Sequence, residues 1–81
     1  MLHLVTTTDG LTACTNQLTA TDTVVVSGSA LTAYIRGIRP SNGRVVCFEL
    51  DAERLGIGSI EPISYTEWLS LVFEQPVQTW S

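Results

Sequence analysis

The chain has 81 residues, enough for one small domain, and 44% of them are apolar while only 15% are charged. A domain of this size buries a modest share of its surface on folding, so the surplus apolar residues predict an oligomer or a subunit of a complex. The formal net charge is −4 and the chain contains no lysine. Nucleic-acid binders need a basic surface to neutralise phosphates, so direct contact with nucleic acid is not expected.

Targeting signals are not evident in the sequence. The opening residues 1–5 have no basic leader, and no apolar run approaches the ~20 residues that span a bilayer. We therefore expect a cytoplasmic protein that does not contact the membrane. In that compartment Cys14 and Cys47 are expected to be thiols rather than a disulfide.

The first predicted strand covers residues 2–6 and contains His3, the one histidine of the chain. A histidine metal site or a Ser-His triad needs further partners that the sequence does not supply. His3 is therefore interpreted as a packing residue with satisfied hydrogen bonds.

A first helix is predicted over residues 11–19, with Thr8 or Asp9 as its N-cap. Leu11, Cys14 and Leu18 share one face at i, i+3 and i+7 spacing. The helix is rich in threonine and intrinsically weak, so packing on the sheet must hold it.

The strongest strand signal lies in residues 22–28, where three consecutive valines stand between Asp22 and Gly28. β-branched residues favour the pleated sheet, and a continuous apolar run indicates a strand covered on both faces. We predict a central parallel strand. Its carboxyl end, Ser27-Gly28-Ser29, lies at the edge where α/β sheets usually meet ligands.

The second half repeats the alternation of helix and strand. A short helix is predicted over residues 30–35, a strand over 45–50, a helix from Asp51 that Gly56 ends in a left-handed conformation, and a strand at Pro62-Ile63. Ser64 and Glu67 match a capping box for a last helix that Pro76 closes. The tail, residues 77–81, is assigned to no element, although Trp80 should be buried somewhere.

This order, β-α-β-α-β-α-β-α, predicts an α/β fold with right-handed crossovers. The expected architecture is a small three-layer sandwich with a mainly parallel four-stranded sheet. Residues 1–81 are expected to form a single domain.

Few residues offer chemistry. The glycines form no phosphate-binding fingerprint, and no serine-nucleophile motif occurs. Glu49, Asp51, Glu53 and Glu61 are interpreted as a solvated acidic edge, and we expect neither a metal nor a cofactor. Cys47 is expected to act as a small buried hydrophobe. Cys14 is open to two interpretations, a packing residue or a reactive thiolate, since a thiolate needs access and nearby positive charge.

The sequence resembles the TusB/DsrH family of sulfur-relay subunits, within the DsrE/DsrF/DsrH-like superfamily. The resemblance spans essentially the whole chain and rests on order and spacing, carried by the Met-Leu-His start at residues 1–3, the strand at 22–28, Asp51 and Gly56, the Tyr-Thr-Glu-Trp run at 65–68 and the tryptophan at position 80. Where the family usually has an acid and a glycine after the second strand, this chain has Ser27-Gly28.

The resemblance implies a DsrE/DsrF/DsrH-like fold and a cytoplasmic heterohexamer with two homologous TusC/TusD-like (DsrF/DsrE-like) subunits. Such a TusBCD-like complex passes persulfide sulfur from a TusA-like to a TusE-like carrier, for 2-thiolation of the wobble uridine of tRNA. A TusB-type subunit is largely structural, whereas a DsrH-type subunit of sulfur oxidation has a cysteine in its first helix. Cys14 is similar in position to that cysteine.

Three hypotheses follow. The chain is a structural and docking subunit, not itself catalytic, of a sulfurtransferase complex; or it is a DsrH-like sulfur carrier using Cys14; or it is a homo-oligomeric binding protein without sulfur chemistry.

Overall fold

The computed structural model describes residues 1–80, within which strands and helices alternate from end to end. The described part contains five strands and four helices. In chain order they are β1 (Leu2–Val5), α1 (Thr8–Cys14), β2 (Thr23–Val26), α2 (Gly28–Ile35), β3 (Arg44–Phe48), α3 (Glu49–Leu55), β4 (Glu61–Ile63), α4 (Tyr65–Glu74) and β5 (Val77–Trp80).

The strands form one sheet in the order β4-β3-β2-β1-β5, and every neighbouring pair is parallel. β2 occupies the centre, and all four of its residues are buried. The prediction of a central parallel strand around the three valines is confirmed. A strand between two neighbours in a sheet covered by helices has no solvent-facing side, which is why its residues do not alternate between apolar and polar.

The predicted number of four strands is wrong. Val77–Trp80 forms a fifth strand that pairs with β1, with Leu2 opposite Val77 and Val5 opposite Trp80. This segment has the β-branched and aromatic residues of a strand, but it is short and its apolar residues show no period. Only pairing with a strand more than seventy residues away in the chain orders it.

The helices are divided unequally between the two faces of the sheet. Steps from β1 to β4 all run in one direction, so right-handed crossovers place α1, α2 and α3 on the same face. The step from β4 back to β5 runs the other way and places α4 on the opposite face. The three-layer arrangement is therefore three helices, one sheet and one helix.

The buried residues form two clusters, one on each face. The cluster beneath α1, α2 and α3 contains Leu11, Cys14, Val24, Leu31 and Cys47 among others. The cluster beneath α4 consists of Leu2, Val25, Val46 and Ile63, with Trp68 and Leu71 of α4 packed against it. Alternate residues of each strand thus enter different clusters, as the pleat requires.

The helix boundaries differ in part from those predicted. α1 begins at Thr8 rather than Leu11 and ends at Cys14 rather than Thr19. The hydroxyl of Thr7, not of Thr8, accepts the capping hydrogen bond from the Gly10 N–H (2.9 Å). Three threonines in a row offered equivalent caps, and the end of β1 at Val5 selects the first one after a single linking residue.

Two predicted helix ends are confirmed. Gly56 ends α3 with φ of 64°, the left-handed conformation that glycine adopts without a Cβ penalty. Ser64 and Glu67 form both hydrogen bonds of the capping box at the start of α4. None of the described helices is long and apolar enough to cross a membrane.

Candidate functional site

The carboxyl edge of the sheet brings the turn after β1 against the turn after β2. Ser29 Oγ donates to the Thr6 carbonyl (3.3 Å), and Thr8 Oγ1 donates to the Ser29 carbonyl (3.4 Å). Gly28 has φ of 57°, and a Cβ there would lie 3.0 Å from the Thr6 carbonyl oxygen. The predicted ligand-meeting edge is therefore a set of small hydroxyl side chains whose hydrogen bonds join the two turns.

Asp51 lies beside this edge, and both of its carboxylate oxygens have partners. Ser27 Oγ donates to Oδ2 (3.4 Å), and the Arg54 guanidinium donates to Oδ1 (3.1 Å). Asp51 therefore serves here to connect β2, through its turn, with α3.

The four carboxylates interpreted as an acidic edge do not converge. Glu61 forms an exposed ion pair with Arg44, and this guanidinium lowers the pKa of the Glu61 carboxyl. Glu49 and Glu53 line a cleft of about 480 Å³ beside α3, together with Gly56. Within residues 1–80, no group of three or more His, Cys, Asp or Glu side chains is arranged to hold a metal ion.

Cys14 is the last residue of α1 and is fully buried. Its thiol donates to the Leu11 carbonyl (3.4 Å) within its own helix. Burial raises the pKa of the Cys14 thiol, which disfavours the thiolate that a sulfur carrier uses. In this conformation Cys14 is a packing residue on the three-helix face, and its use as a carrier stays a prediction that requires α1 to open.

Cys47 lies on β3 and is also fully buried, in the same cluster as Cys14. Burial raises the pKa of the Cys47 thiol, and the negative charge of Asp51 adds to the rise. Both cysteines are free. The interpretation of Cys47 as a small buried hydrophobe agrees with this environment.

His3 is the centre of a buried polar network that the sequence did not reveal in full. Trp80 Nε1 donates to His3 Nδ1 (3.0 Å), and His3 Nε2 lies 3.3 Å from Asp22 Oδ2. Since Nδ1 accepts, the ring proton is on Nε2 and points to the carboxylate. The network joins β5, β1 and the residue before β2, and it confirms His3 as a satisfied packing residue.

The Asp22 carboxylate accepts two hydrogen bonds besides its contact with His3. The Thr19 backbone N–H donates to Oδ2 (3.0 Å), and the Met1 amino group donates to Oδ1 (2.9 Å). These hydrogen bonds, that of Thr19 foremost, lower the pKa of Asp22 to about 2. Asp22 is thus an ionised residue whose carboxylate holds Met1, His3 and Thr19 together. The sequence did not predict this role, because a single aspartate before a strand has no distinguishing pattern.

The most distinctive surface is the outer side of α4. Tyr65, Leu69, Val72 and Phe73 lie at helical spacing and are exposed, Phe73 to 88% and Leu69 to 55%. We call these four residues the α4 stripe. The helix has no buried residue, and only Trp68 and Leu71 are packed against the sheet cluster. Exposed apolar patches of this kind are typical of interaction surfaces, which makes the α4 stripe a candidate for one.

Acidic residues flank the α4 stripe. Glu67 and Glu74 line a groove of about 220 Å³ on one side of the helix, and Arg44, the cation of this groove, is already paired with Glu61. This one side of α4 therefore has two carboxylates beside the apolar residues of the helix.

No protein family, curated protein or solved structure matches this chain. The geometry therefore carries the functional argument. Within residues 1–80 it leaves the apolar outer side of α4 exposed to solvent. The α4 stripe, which sequence reasoning predicted as a helix but not as an exposed surface, is the candidate functional site.

Proposed function

We propose that this chain is a structural and docking subunit of a cytoplasmic sulfur-relay complex, in which TusC/TusD-like homologues complete the assembly. Such a complex passes persulfide sulfur between TusA-like and TusE-like carriers for 2-thiolation of the tRNA wobble uridine. The proposal rests on the resemblance to the TusB/DsrH family, with its DsrE-like fold, and on the exposed α4 stripe.

The α4 stripe is the observation that carries the docking role. Leu69 and Phe73 of α4 remain exposed to water in the isolated chain. Burying these side chains against a partner would therefore contribute favourable hydrophobic free energy to association. Full burial of a side chain of this size contributes about 1.5–3 kcal/mol. A subunit whose task is to complete an assembly has reason to keep such residues on one contiguous surface.

The cysteines support a subunit that does not itself carry sulfur. Cys14 and Cys47 are both fully buried, and burial raises the pKa of each thiol. Persulfide transfer requires a thiolate that a partner's sulfur can reach. The reactive cysteine of the complex is therefore assigned to a partner subunit.

The charge of the chain suits a protein partner better than tRNA. The net charge is −4, and the cations are four arginines without any lysine. Arg44 pairs with Glu61 and Arg54 with Asp51, which leaves little positive surface for phosphate. The role proposed for this chain is thus upstream of tRNA, in protein–protein transfer of sulfur.

Native mass spectrometry of the chain co-expressed with its genomic neighbours tests the assembly. We expect a 2:2:2 complex with two DsrE-like partners, and we expect Phe73→Asp and Leu69→Asp to abolish it. Ser70→Asp adds the same charge on the same helix beside the stripe and is the matched control that should still assemble. Failure of any DsrE-like neighbour to bind the wild-type chain would refute the proposal.

The sulfur chemistry is tested in the assembled complex. Cys14→Ser should leave tRNA thiolation nearly intact, and mass spectrometry after incubation with a persulfide donor should show added sulfur on a partner but not on this chain. Loss of 2-thiouridine together with a persulfide on wild-type Cys14 would replace the docking role by that of a carrier. A complex that assembles but does not support 2-thiolation of tRNA would show that it does not act in this pathway.

A further inference from the structure

The two edge strands of the sheet, β4 and β5, differ in whether they contain residues that hinder pairing with another strand. The β4 edge has three residues, and Pro62 and the ion-paired Glu61 are among them. Proline and charge are the usual devices that prevent an edge strand from pairing with another chain. The β5 edge, Val77–Trp80, has four residues and neither a charge nor a proline.

The backbone of β5 alternates between bonding to β1 and facing outward. The Pro76 carbonyl accepts from the Leu2 N–H (3.0 Å), and the Trp80 carbonyl accepts from the Thr6 N–H (3.1 Å). In a parallel ladder the bonding residues are every second one, so Gln78 also faces β1. The N–H and C=O groups of Val77 and Thr79 consequently point away from the sheet, and the side chains of both residues are exposed.

We propose that β5 pairs antiparallel with β5 of a second copy of this chain, which joins the two sheets into one. The two-fold axis passes beside Gln78, so that Val77 of each copy lies opposite Thr79 of the other. Opposed residues of this class exchange both of their N–H···O bonds. Each outward polar backbone group of Val77 and Thr79 then gains a partner.

The occupant is a second copy because the edge is self-complementary. A two-fold contact places each residue opposite a fixed residue of the same strand. Val77 meets Thr79, which pairs two β-branched side chains on the α4 side, and Gln78 meets Gln78, whose amides both donate and accept. No like charges face each other, although the chain as a whole has a net charge of −4. A charged peptide strand would find no complementary charge on this edge.

This contact goes beyond the proposed function and uses a different element. The α4 stripe is assigned to a homologous partner, whereas the β5 edge is assigned to the same chain. Substitutions on α4 therefore test the heteromeric assembly and substitutions on β5 test the homodimer, so the failure of one is distinguishable from the failure of the other.

The test uses the isolated full chain in sedimentation equilibrium across a wide range of concentrations. We expect the wild type to dimerise and Thr79→Pro to raise the dimer Kd at least about tenfold, because each copy loses an outward N–H donor. Proline is tolerated where the N–H faces solvent, so Thr79→Pro should keep the monomer's circular dichroism spectrum. Thr79→Val retains the N–H and is the matched control that should still dimerise.

Amide hydrogen exchange of the wild type supplies a second readout that does not depend on a variant. The N–H groups of Val77 and Thr79 should exchange rapidly in dilute solution and slowly at concentrations where the dimer forms. A monomer at every concentration would overturn the inference. So would a dimer in which these two amides stay unprotected, or one that Phe73→Asp disrupts and Thr79→Pro does not.

Discussion

The helices on the two faces of the sheet differ in how far their own residues are buried. On the three-helix face, Leu11, Val24 and Leu31 are almost completely withdrawn from solvent. On the other face, α4 has no buried residue, and Phe73 is 88% exposed. The sheet residues beneath α4 are themselves fully buried, so the difference lies in the outer side of this helix, whose apolar residues remain in solvent.

The difference originates in the direction in which the chain winds. Three consecutive crossovers run towards β4 and place their helices on one face, where α1 and α2 also contact each other. One return crossover supplies the single helix of the opposite face. A lone helix of ten residues packs one side against a five-stranded sheet, and within residues 1–80 no neighbouring helix lies beside it on this face.

The largest predicted effect compares the same substitution on the two faces. Leu31→Ala should lower the free energy of unfolding by about 2–5 kcal/mol, because it opens a cavity in a closed cluster. Leu69→Ala on the α4 stripe should change it by less than about 0.5 kcal/mol. Urea unfolding followed by circular dichroism measures both, and equal losses would show that the α4 face is as closed as the other.

The polar network beneath the three-helix face should make that face sensitive to acid. The folded-state pKa of Asp22, about 2, lies below its ordinary value of 3.8, so the unfolded chain binds more protons between these values. The stabilisation, about 2 kcal/mol, is complete above about pH 5 and is lost as the pH falls towards 2.

The pH dependence is checked by urea unfolding at a series of pH values. Asp22→Asn should remove most of it, whereas Glu61→Gln should leave most of it, because the Arg44–Glu61 pair is exposed and contributes little. An acid transition that Glu61→Gln abolished and Asp22→Asn preserved would assign the effect to the sheet edge instead.

The alkylation rates of the two thiols measure how often the three-helix face opens. Cys14 and Cys47 both belong to the three-helix cluster, so alkylation requires that face to open. We expect iodoacetamide to modify them at least about tenfold more slowly in the folded chain than in urea. Ser70→Cys places a thiol on exposed α4 as a control and should react quickly. Rapid modification of folded Cys14 would favour the sulfur-carrier hypothesis.

A smaller loss of stability than that of Leu31→Ala is predicted at the start of α4. Ser64→Ala should cost about 1 kcal/mol, since it removes the side-chain acceptor for the Glu67 N–H (3.2 Å). Ser70→Ala makes the same chemical change on an exposed position within the helix and should be neutral or slightly stabilising. Thermal unfolding compares the two variants, and an equal loss in both would mean that the capping box does not contribute.

Local chemistry explains which parts of the fold could be predicted. The three valines of β2, the capping box at Ser64 and the left-handed end at Gly56 each depend on residues within a few positions of one another. The structure confirms all three. The start of α1 was predicted less well, because Thr7, Thr8 and Asp9 are all competent caps and only the end of β1 selects among them.

The candidate site was less accessible to sequence reasoning. The apolar residues of α4 spread over more than half of its circumference, so the pattern predicts the helix but not which part of this broad apolar face lies against the sheet. The partners of His3 are likewise distant, with Asp22 before β2 and Trp80 in β5. Such contacts depend on strand order, which no local pattern specifies.

The sequence by itself determined the alternation of strands and helices, the central place of the valine strand and the excess of apolar surface. These follow from residue volume, β-branching and capping, which act over a few residues. The tertiary structure alone decided that residues 77–80 form a fifth strand, that the Cys14 thiol is buried and that α4 is the one helix on its face of the sheet within residues 1–80. The physical reason is that burial belongs to the assembled sheet: a side chain is covered or exposed according to the strand order and crossover direction of distant segments.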